Sequence, residues 1–288
     1  MIRPAIEYCL AATQRYGHNV SAKILFKRVI KMLQHSRIKY SCCPLCDSAS
    51  LRTVRTSSVA GHPRYKPELP AEMTWMACTA CGHEFADGYF DDAALALIFS
   101  QSNPGQQVGE AYEQARWIAA RMVQRVARHV AGGRWLDVGF GNAALVITAD
   151  EFGYEAVGLD LREQEVSTLR GLGFEAHCRL MEDFQPDRPF DVLSLADVLE
   201  HMPFPKKGLR AAHGLLRPGG ALLVSMPNAD AFVWRGMAAN PYHGEIEHYH
   251  NFGRRRLYEL LRESGFEPCE YGVSERYRAC MEVIARRS

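Results

Sequence analysis

The sequence predicts an α/β protein: a doubly wound, mostly parallel, seven-stranded sheet with a small cysteine-bearing module on its N-terminal side. Three observations predict it. From residue 134 onward, short apolar runs alternate regularly with helical stretches, as in a parallel sheet covered on both faces. A Gly-x-Gly turn closes the first of those runs. Ahead of them, two Cys-x-x-Cys pairs lie in a stretch broken by Gly61, Pro63, Pro67 and Pro70. The composition agrees. A chain of 288 residues with 47% hydrophobic and 23% charged content is globular, which excludes a disordered chain, a collagen-like fibre and a coiled coil.

The elements follow in order. Over 21–35, Ala22, Leu25, Phe26, Val29, Ile30 and Leu33 recur at helical spacing behind Ser21 as N-cap, with Lys23, Lys27 and Lys31 on another face. Residues 1–40 read as a basic amphipathic arm, 41–90 as the cysteine module and 91–131 as a helical connector or lid. The main domain spans 132–288. Within the connector, 108–130 carries Ala111, Ile118, Met122 and Val126 as apolar helical positions. In the main domain, strands are expected at 134–138, 155–160, 174–178, 190–196 and 221–226, with a final pair at 267–273 and 278–285. Helices are expected at 142–152, 205–216 and 254–264, the last two closed by Arg217-Pro218-Gly219-Gly220 and Gly265.

Charge divides the chain unevenly. The arm holds eight lysines and arginines against Glu7, a net of +7, so the total of +1 leaves −6 for residues 41–288. An acidic body is unfavourable for gripping a phosphate backbone, which argues against a nucleic-acid partner. The arm suits an anionic membrane surface or an acidic partner, or else a solvated helix face packed on the body. The longest apolar run, 93–99, is seven residues, where a spanning helix needs about 20. The first residues carry no apolar secretion signal. A cytoplasmic protein, or one peripheral at the inner membrane surface, is expected.

The strongest chemical signal is Asp137-Val138-Gly139-Phe140-Gly141-Asn142-Ala143, which ends a strand and opens a helix. Glycines there let the backbone approach a ligand closely. Asp160 ends the next strand, 19 residues after Gly141, where a carboxylate accepts hydrogen bonds from ribose hydroxyls. Asp137 would repel a pyrophosphate but suits a cationic group such as the ammonium of a methionine moiety. The combination points to a nucleoside cofactor.

Further motifs follow in sequence: 190–201 ending in Leu199-Glu200-His201, then Leu215-Leu216-Arg217-Pro218-Gly219-Gly220, then His248-Tyr249-His250-Asn251-Phe252. With these, residues 134–274 resemble class I S-adenosylmethionine-dependent methyltransferases, whose sheet is Rossmann-like. The late segment is similar to that of small-molecule O-methyltransferases, and Ala143 stands where the family has its third glycine. The resemblance implies that Gly139, Phe140 and Gly141 form the turn under the methionine part, with Asp137 beside it. Asp160 would bind the ribose, Leu161 would lie against the adenine, and Met181 and Glu182 would cover its edge. Leu180 stands where the family often has an acid. Ala196 and Asp197 would line the cofactor near the transferred methyl. DNA amino-methyltransferases of this fold carry an Asn/Asp-Pro-Pro-Tyr/Phe motif where this chain has Ala196-Asp197-Val198-Leu199.

Methyl transfer from a sulfonium is an in-line displacement, so the protein mainly aligns the partners and excludes water. A hydroxyl acceptor also needs a base to take its proton. His201, after the fourth strand, and His248 and His250, after the fifth, are the candidates, with His248 or His201 leading. Cys43/Cys46 and Cys78/Cys81, with 31 residues between the pairs, have the form of two knuckles supplying four thiolates to one structural Zn²⁺. That is a zinc-ribbon-like module. Cys42 or His83 could replace a ligand, and four free thiols are the alternative. Some methyltransferases acting on sugars or ribosomal RNA carry a similar module before the same domain. The expected function is methylation of a hydroxyl on a small molecule or saccharide. The rivals are an RNA methyltransferase that holds RNA with module and arm, and a non-catalytic cofactor-binding adaptor.

Overall fold

The computed structural model describes residues 36–98, 104–237 and 240–288. The expected helix at 21–35, and with it most of the basic arm, lies outside the described residues. The chain runs through β1 (Ile38–Lys39), β2 (Leu51–Ser58), β3 (Glu72–Cys78), β4 (Glu84–Ala86), β5 (Gly88–Tyr89), α1 (Asp92–Ile98) and α2 (Tyr112–Ala127). It continues through β6 (Gly133–Val138), α3 (Ala144–Glu151), β7 (Tyr154–Asp160), α4 (Glu163–Gly171), β8 (Glu175–Cys178), β9 (Phe190–Ala196), α5 (Pro205–Leu215) and β10 (Leu216–Pro227). It closes with β11 (His250–Asn251), α6 (Arg254–Glu263), β12 (Phe266–Ser274) and β13 (Cys280–Arg287).

The large sheet has the expected seven strands, in the order β12-β13-β10-β9-β6-β7-β8. Strands β6 to β10 run parallel, and β13 is antiparallel to both β10 and β12. Strand β6 is buried from Arg134 to Val138, because helices cover both faces and leave no polar alternation to read. Helix α5 starts on Pro205 at its first turn and turns Leu209, Ala212 and Leu215 inward. Helix α6 does the same with Leu257, Leu260 and Leu261. Helix α4 was not legible from apolar periodicity: its inward face is Val166 and Leu169 beside a buried acid, Glu165.

The cysteine module folds as a second, antiparallel sheet of four strands, β11-β4-β3-β2. Its fourth strand is β11, which comes from the far end of the chain and pairs His250 with Phe85 and Asn251 with Glu84. That strand covers an edge of β4 that would otherwise stand open. The cores are shared as well. Met73, Trp75, Phe90 and the α1 residues Ala94 and Ile98 pack with Ile246 and Tyr249. Cys43, Leu45, Cys78 and Phe85 join the cluster beneath the large sheet. The expected borders at 90 and 131 therefore do not separate independent cores. The end of the basic arm is also built in: Arg37 is buried with its guanidinium 4.3 Å over the Phe90 ring, and the Tyr40 hydroxyl donates to the Pro203 carbonyl at 2.7 Å. Among the described residues, no helix is long and apolar enough to cross a membrane.

Candidate active site

The chain leaves β6 toward β7 and β8, and leaves β9 toward β10, so a crevice opens between the carboxyl ends of these two neighbours. The glycine turn sits there. Gly139 and Gly141 have φ of 66° and 56°, in the left-handed region that glycine favours. A Cβ at Gly139 would meet the Val198 side chain at 2.8 Å, while one at Gly141 would project into open space. The first glycine is thus required by packing, and the second leaves a bare cradle. Ala143 adopts φ 62° at the head of α3, a conformation that costs a non-glycine residue about 1–2 kcal/mol, and its methyl is fully buried. Phe140 lies in the turn between the two glycines. Its side chain is buried in the core, its ring 2.8 Å from where a Cβ on Gly158 would stand, so only its backbone faces the crevice.

Two acids flank the cradle. Asp137 is buried, and its hydrogen-bond partner is a hydroxyl: Ser194 donates at 2.5 Å, itself held by Trp135 Nε1 at 2.9 Å. Burial pushes the Asp137 carboxyl up to about 7, against the opposing pull of Ser194 and Arg276. A cationic group beside it would restore its charge. Asp160, also buried, ends β7, and Arg162 donates to both of its oxygens. A bare glycine cradle, a buried carboxyl short of a cation and a carboxylate one strand over fit the methionine ammonium and the ribose of S-adenosylmethionine. Leu161 and Leu180 are exposed beside Asp160 and ahead of Met181. Met181 itself is core and Glu182 is exposed. Ala196 is buried at the end of β9.

Beyond the cradle lies a cavity of about 460 Å³, lined by Asp197, Glu200, His201, Tyr242, His248 and Tyr277, with His62 and Arg64 reaching in from the module. Asp197 takes φ 57° and accepts from Arg276 Nε at 2.6 Å. Glu200 is buried with neither carboxyl oxygen hydrogen-bonded, and burial together with Asp197 raises its pKa well above the usual range. His201 Nδ1 donates to the Glu247 carbonyl at 3.1 Å, which leaves Nε2 as the basic nitrogen, 4.0 Å from Glu200 Oε1. The His248 ring stands edge-on to His201 with centroids 4.5 Å apart and stacks on Tyr242 at 5.6 Å. Burial holds the His248 pKa well below its ordinary value. Glu200, His201 and His248 each place a ligand atom within 4.8 Å of the others, so the three could also share a cation.

His250 is not part of this cavity. Its Nε2 donates to the Met202 carbonyl at 3.0 Å, and its Nδ1 accepts from His83 Nε2 at 3.0 Å. Both nitrogens are engaged and burial holds its pKa at about 4, so it pins the loop behind His201 and has no lone pair for an acceptor. Sequence reasoning missed Glu200, although it named the Leu-Glu-His motif. It also missed Arg276, His62 and Arg64, whose placement depends on contacts between distant segments, and Arg162, which reaches Asp160 two residues away and the distant Gly141 and Gln106 carbonyls.

The four expected cysteines converge. Cys43 and Cys81 sulfurs lie 3.7 Å apart, Cys46 and Cys78 sulfurs 3.5 Å apart, and all four lie within 4.8 Å of one another. Four sulfurs at about 2.3 Å from one tetrahedral ion would stand about 3.8 Å apart. The two knuckles share a backbone design: Asp47 N–H donates to Cys43 O and Gly82 N–H to Cys78 O, with Asp47 and Gly82 both at left-handed φ. Cys42 is outside the cluster and His83 is committed to His250.

The profile described as a methyltransferase domain matches residues 111–271. The chain belongs to this methyltransferase family. It is 32% identical over 111 residues to the ubiquinone biosynthesis O-methyltransferase of Idiomarina loihiensis, covering 36% of this chain and 46% of that one. It is 26% identical over 161 residues to the enzyme of the same name from Bordetella avium, covering 51% and 67%. The chain spans about half the length of most of the curated relatives it matches first. Among solved structures, a Burkholderia thailandensis 1,6-didemethyltoxoflavin-N1-methyltransferase, with its substrate and S-adenosylhomocysteine bound, superposes with a TM-score of 0.52 at 19% identity, over 72% of this chain and 96% of that one. That likeness is one of fold. The methyltransferase segment thus begins near α2 and leaves the cysteine module outside the matched region.

Proposed function

We propose that this methyltransferase moves a methyl group from S-adenosylmethionine to a hydroxyl of a small molecule or saccharide. The observation that carries the reading is the juxtaposition of the Asp137–Gly141–Asp160 cradle with a histidine-lined cavity beyond Asp197. The cofactor supplies an electrophilic methyl on its sulfonium. Asp137 and Asp160 hold its two ends, Asp197 lines the approach, and His201 Nε2 takes the acceptor proton, its tautomer fixed by the Glu247 carbonyl. The names of the O-methyltransferase relatives support hydroxyl over amine acceptors. The module contributes His62 and Arg64 to the acceptor wall, and its four-cysteine cluster would hold a structural Zn²⁺ at the other end of the β2–β3 hairpin. An ion held by four thiolates would have no open coordination position, so its role would be structural. The test is methyl-label transfer from S-adenosylmethionine into cell extract, with mass identification of the labelled product. Label appearing only on amines or on RNA would overturn the acceptor class, and cofactor binding without any labelled product would favour an adaptor.

A further inference from the structure

Arg162 stands where the ribose of the cofactor is read to bind, and it is wired to the acceptor cavity. Its backbone N–H and Nε donate to Asp160 Oδ1 at 3.0 and 2.9 Å, and its Nη2 donates to Asp160 Oδ2 at 2.7 Å. Nη2 also reaches the Gly141 carbonyl at 3.0 Å, and Nη1 the Gln106 carbonyl at 2.8 Å. A carboxylate offers about four lone-pair positions, so three donors leave room for about one hydroxyl where a ribose diol brings two. Gln106 faces the other way with its side chain: Oε1 accepts from Arg64 Nη2 at 2.8 Å. Arg64 Nη1 donates to Glu247 at 2.5 Å, and the Glu247 carbonyl holds His201. The same segment is otherwise tied down by Val108 N–H to Glu165 at 2.8 Å and Gly109 N–H to the Asn142 carbonyl at 3.1 Å.

We propose that Arg162 is a latch displaced by the cofactor, and that Gln106 and Arg64 carry its release to Glu247 and His201. A ribose diol that takes Asp160 from Arg162 frees the Gln106 carbonyl and shifts the Arg64–Glu247 pair at the acceptor wall. Cofactor and acceptor then bind cooperatively, because occupancy of one site sets the shape of the other. Arg162 is a positioning residue in this scheme. The inference rests on the reading of Asp160 as the ribose carboxylate.

The test uses the full chain and S-adenosylhomocysteine, which lacks the sulfonium charge and so removes simple repulsion by Arg162. Calorimetry on Arg162→Ala is expected to show affinity raised about fivefold or more. Hydrogen exchange is expected to change at 62–66 and 245–249 when wild type binds the ligand. Arg162→Lys keeps the charge but cannot span Asp160, Gly141 and Gln106 together, so those segments should no longer respond. Gln106→Ala should bind the ligand as wild type does, yet lose the exchange response at 62–66. Unchanged or weaker affinity in Arg162→Ala, or a full response in Gln106→Ala, overturns the latch alone. Failure of wild type to bind S-adenosylhomocysteine overturns the cofactor reading and the latch with it.

Discussion

Asp137 meets two opposing requirements. As a buried carboxyl raised to about 7 it weakens the free protein, and in the function proposed above it is the partner of the cofactor ammonium. The sign follows from linkage. The unfolded carboxyl, near 3.8, ionises first, so the folded state loses stability as pH rises from about 4 to about 7 and the loss is constant above that. Asp137→Asn removes this cost. Its melting temperature should exceed that of wild type by an amount that grows between pH 4 and pH 7, then levels off. The same variant should bind S-adenosylmethionine about tenfold or more weakly at pH 8, and wild-type affinity should fall as pH drops through 7. Equal melting curves at pH 8 would contradict the burial argument. His201→Gln should lower turnover by about 10²–10⁴-fold with cofactor affinity retained, as expected for loss of a general base. His250→Gln is a contrasting case. It breaks the bridge from His83 to the Met202 carbonyl, and its effect should appear in thermal stability as well as in rate.

At the scale of elements, the two knuckles stand out because each is short and local while the cluster they make is not. Metal analysis of the purified chain should find one zinc per chain. Cys46→Ser, which alters an exposed cysteine, should lower zinc content and melting temperature together. Unchanged stability after complete chelation would remove the structural role. Strand β11 is the second revealing element. Its two residues close the module sheet, and the neighbouring Tyr249 is fully buried with its hydroxyl accepting from Phe90 N–H at 3.3 Å. Tyr249→Ala should cost about 3–5 kcal/mol, measured by denaturant unfolding, because it empties the centre of the module core.

For the whole molecule, the cores shared between the seven-stranded and the four-stranded sheet make one cooperative unit. A chain trimmed to residues 91–288 would expose Ile246 and Tyr249 and leave β11 unpaired, so it should be aggregation-prone or lack a cooperative melt. The intact chain should melt in a single transition. Recovery of a stable, cofactor-binding 91–288 fragment would show that the module is dispensable to the fold.

The parallel strands, the glycine turn and Asp160 were legible because each depends on neighbours in sequence: an apolar run, a left-handed turn, an acid at a strand end. The cysteine pairs were legible for the same reason, since two residues separate the ligands of each knuckle. The surroundings of the Phe140 and His250 side chains were not legible, for the opposite reason. Whether a side chain faces a crevice or a core depends on which distant segment packs against it, here Gly158 for one and His83 for the other. By itself the sequence determined a doubly wound sheet with a nucleoside-type cradle and a four-thiol cluster, because local spacing dictates those. Only the tertiary structure decided that the module and the methyltransferase sheet share cores and a strand, that His201 keeps its basic nitrogen free of hydrogen bonds while His250 does not, and that Arg162 reaches the Gly141 and Gln106 carbonyls. Each of these is set by contacts between residues tens to hundreds of positions apart, whose partners no local pattern names.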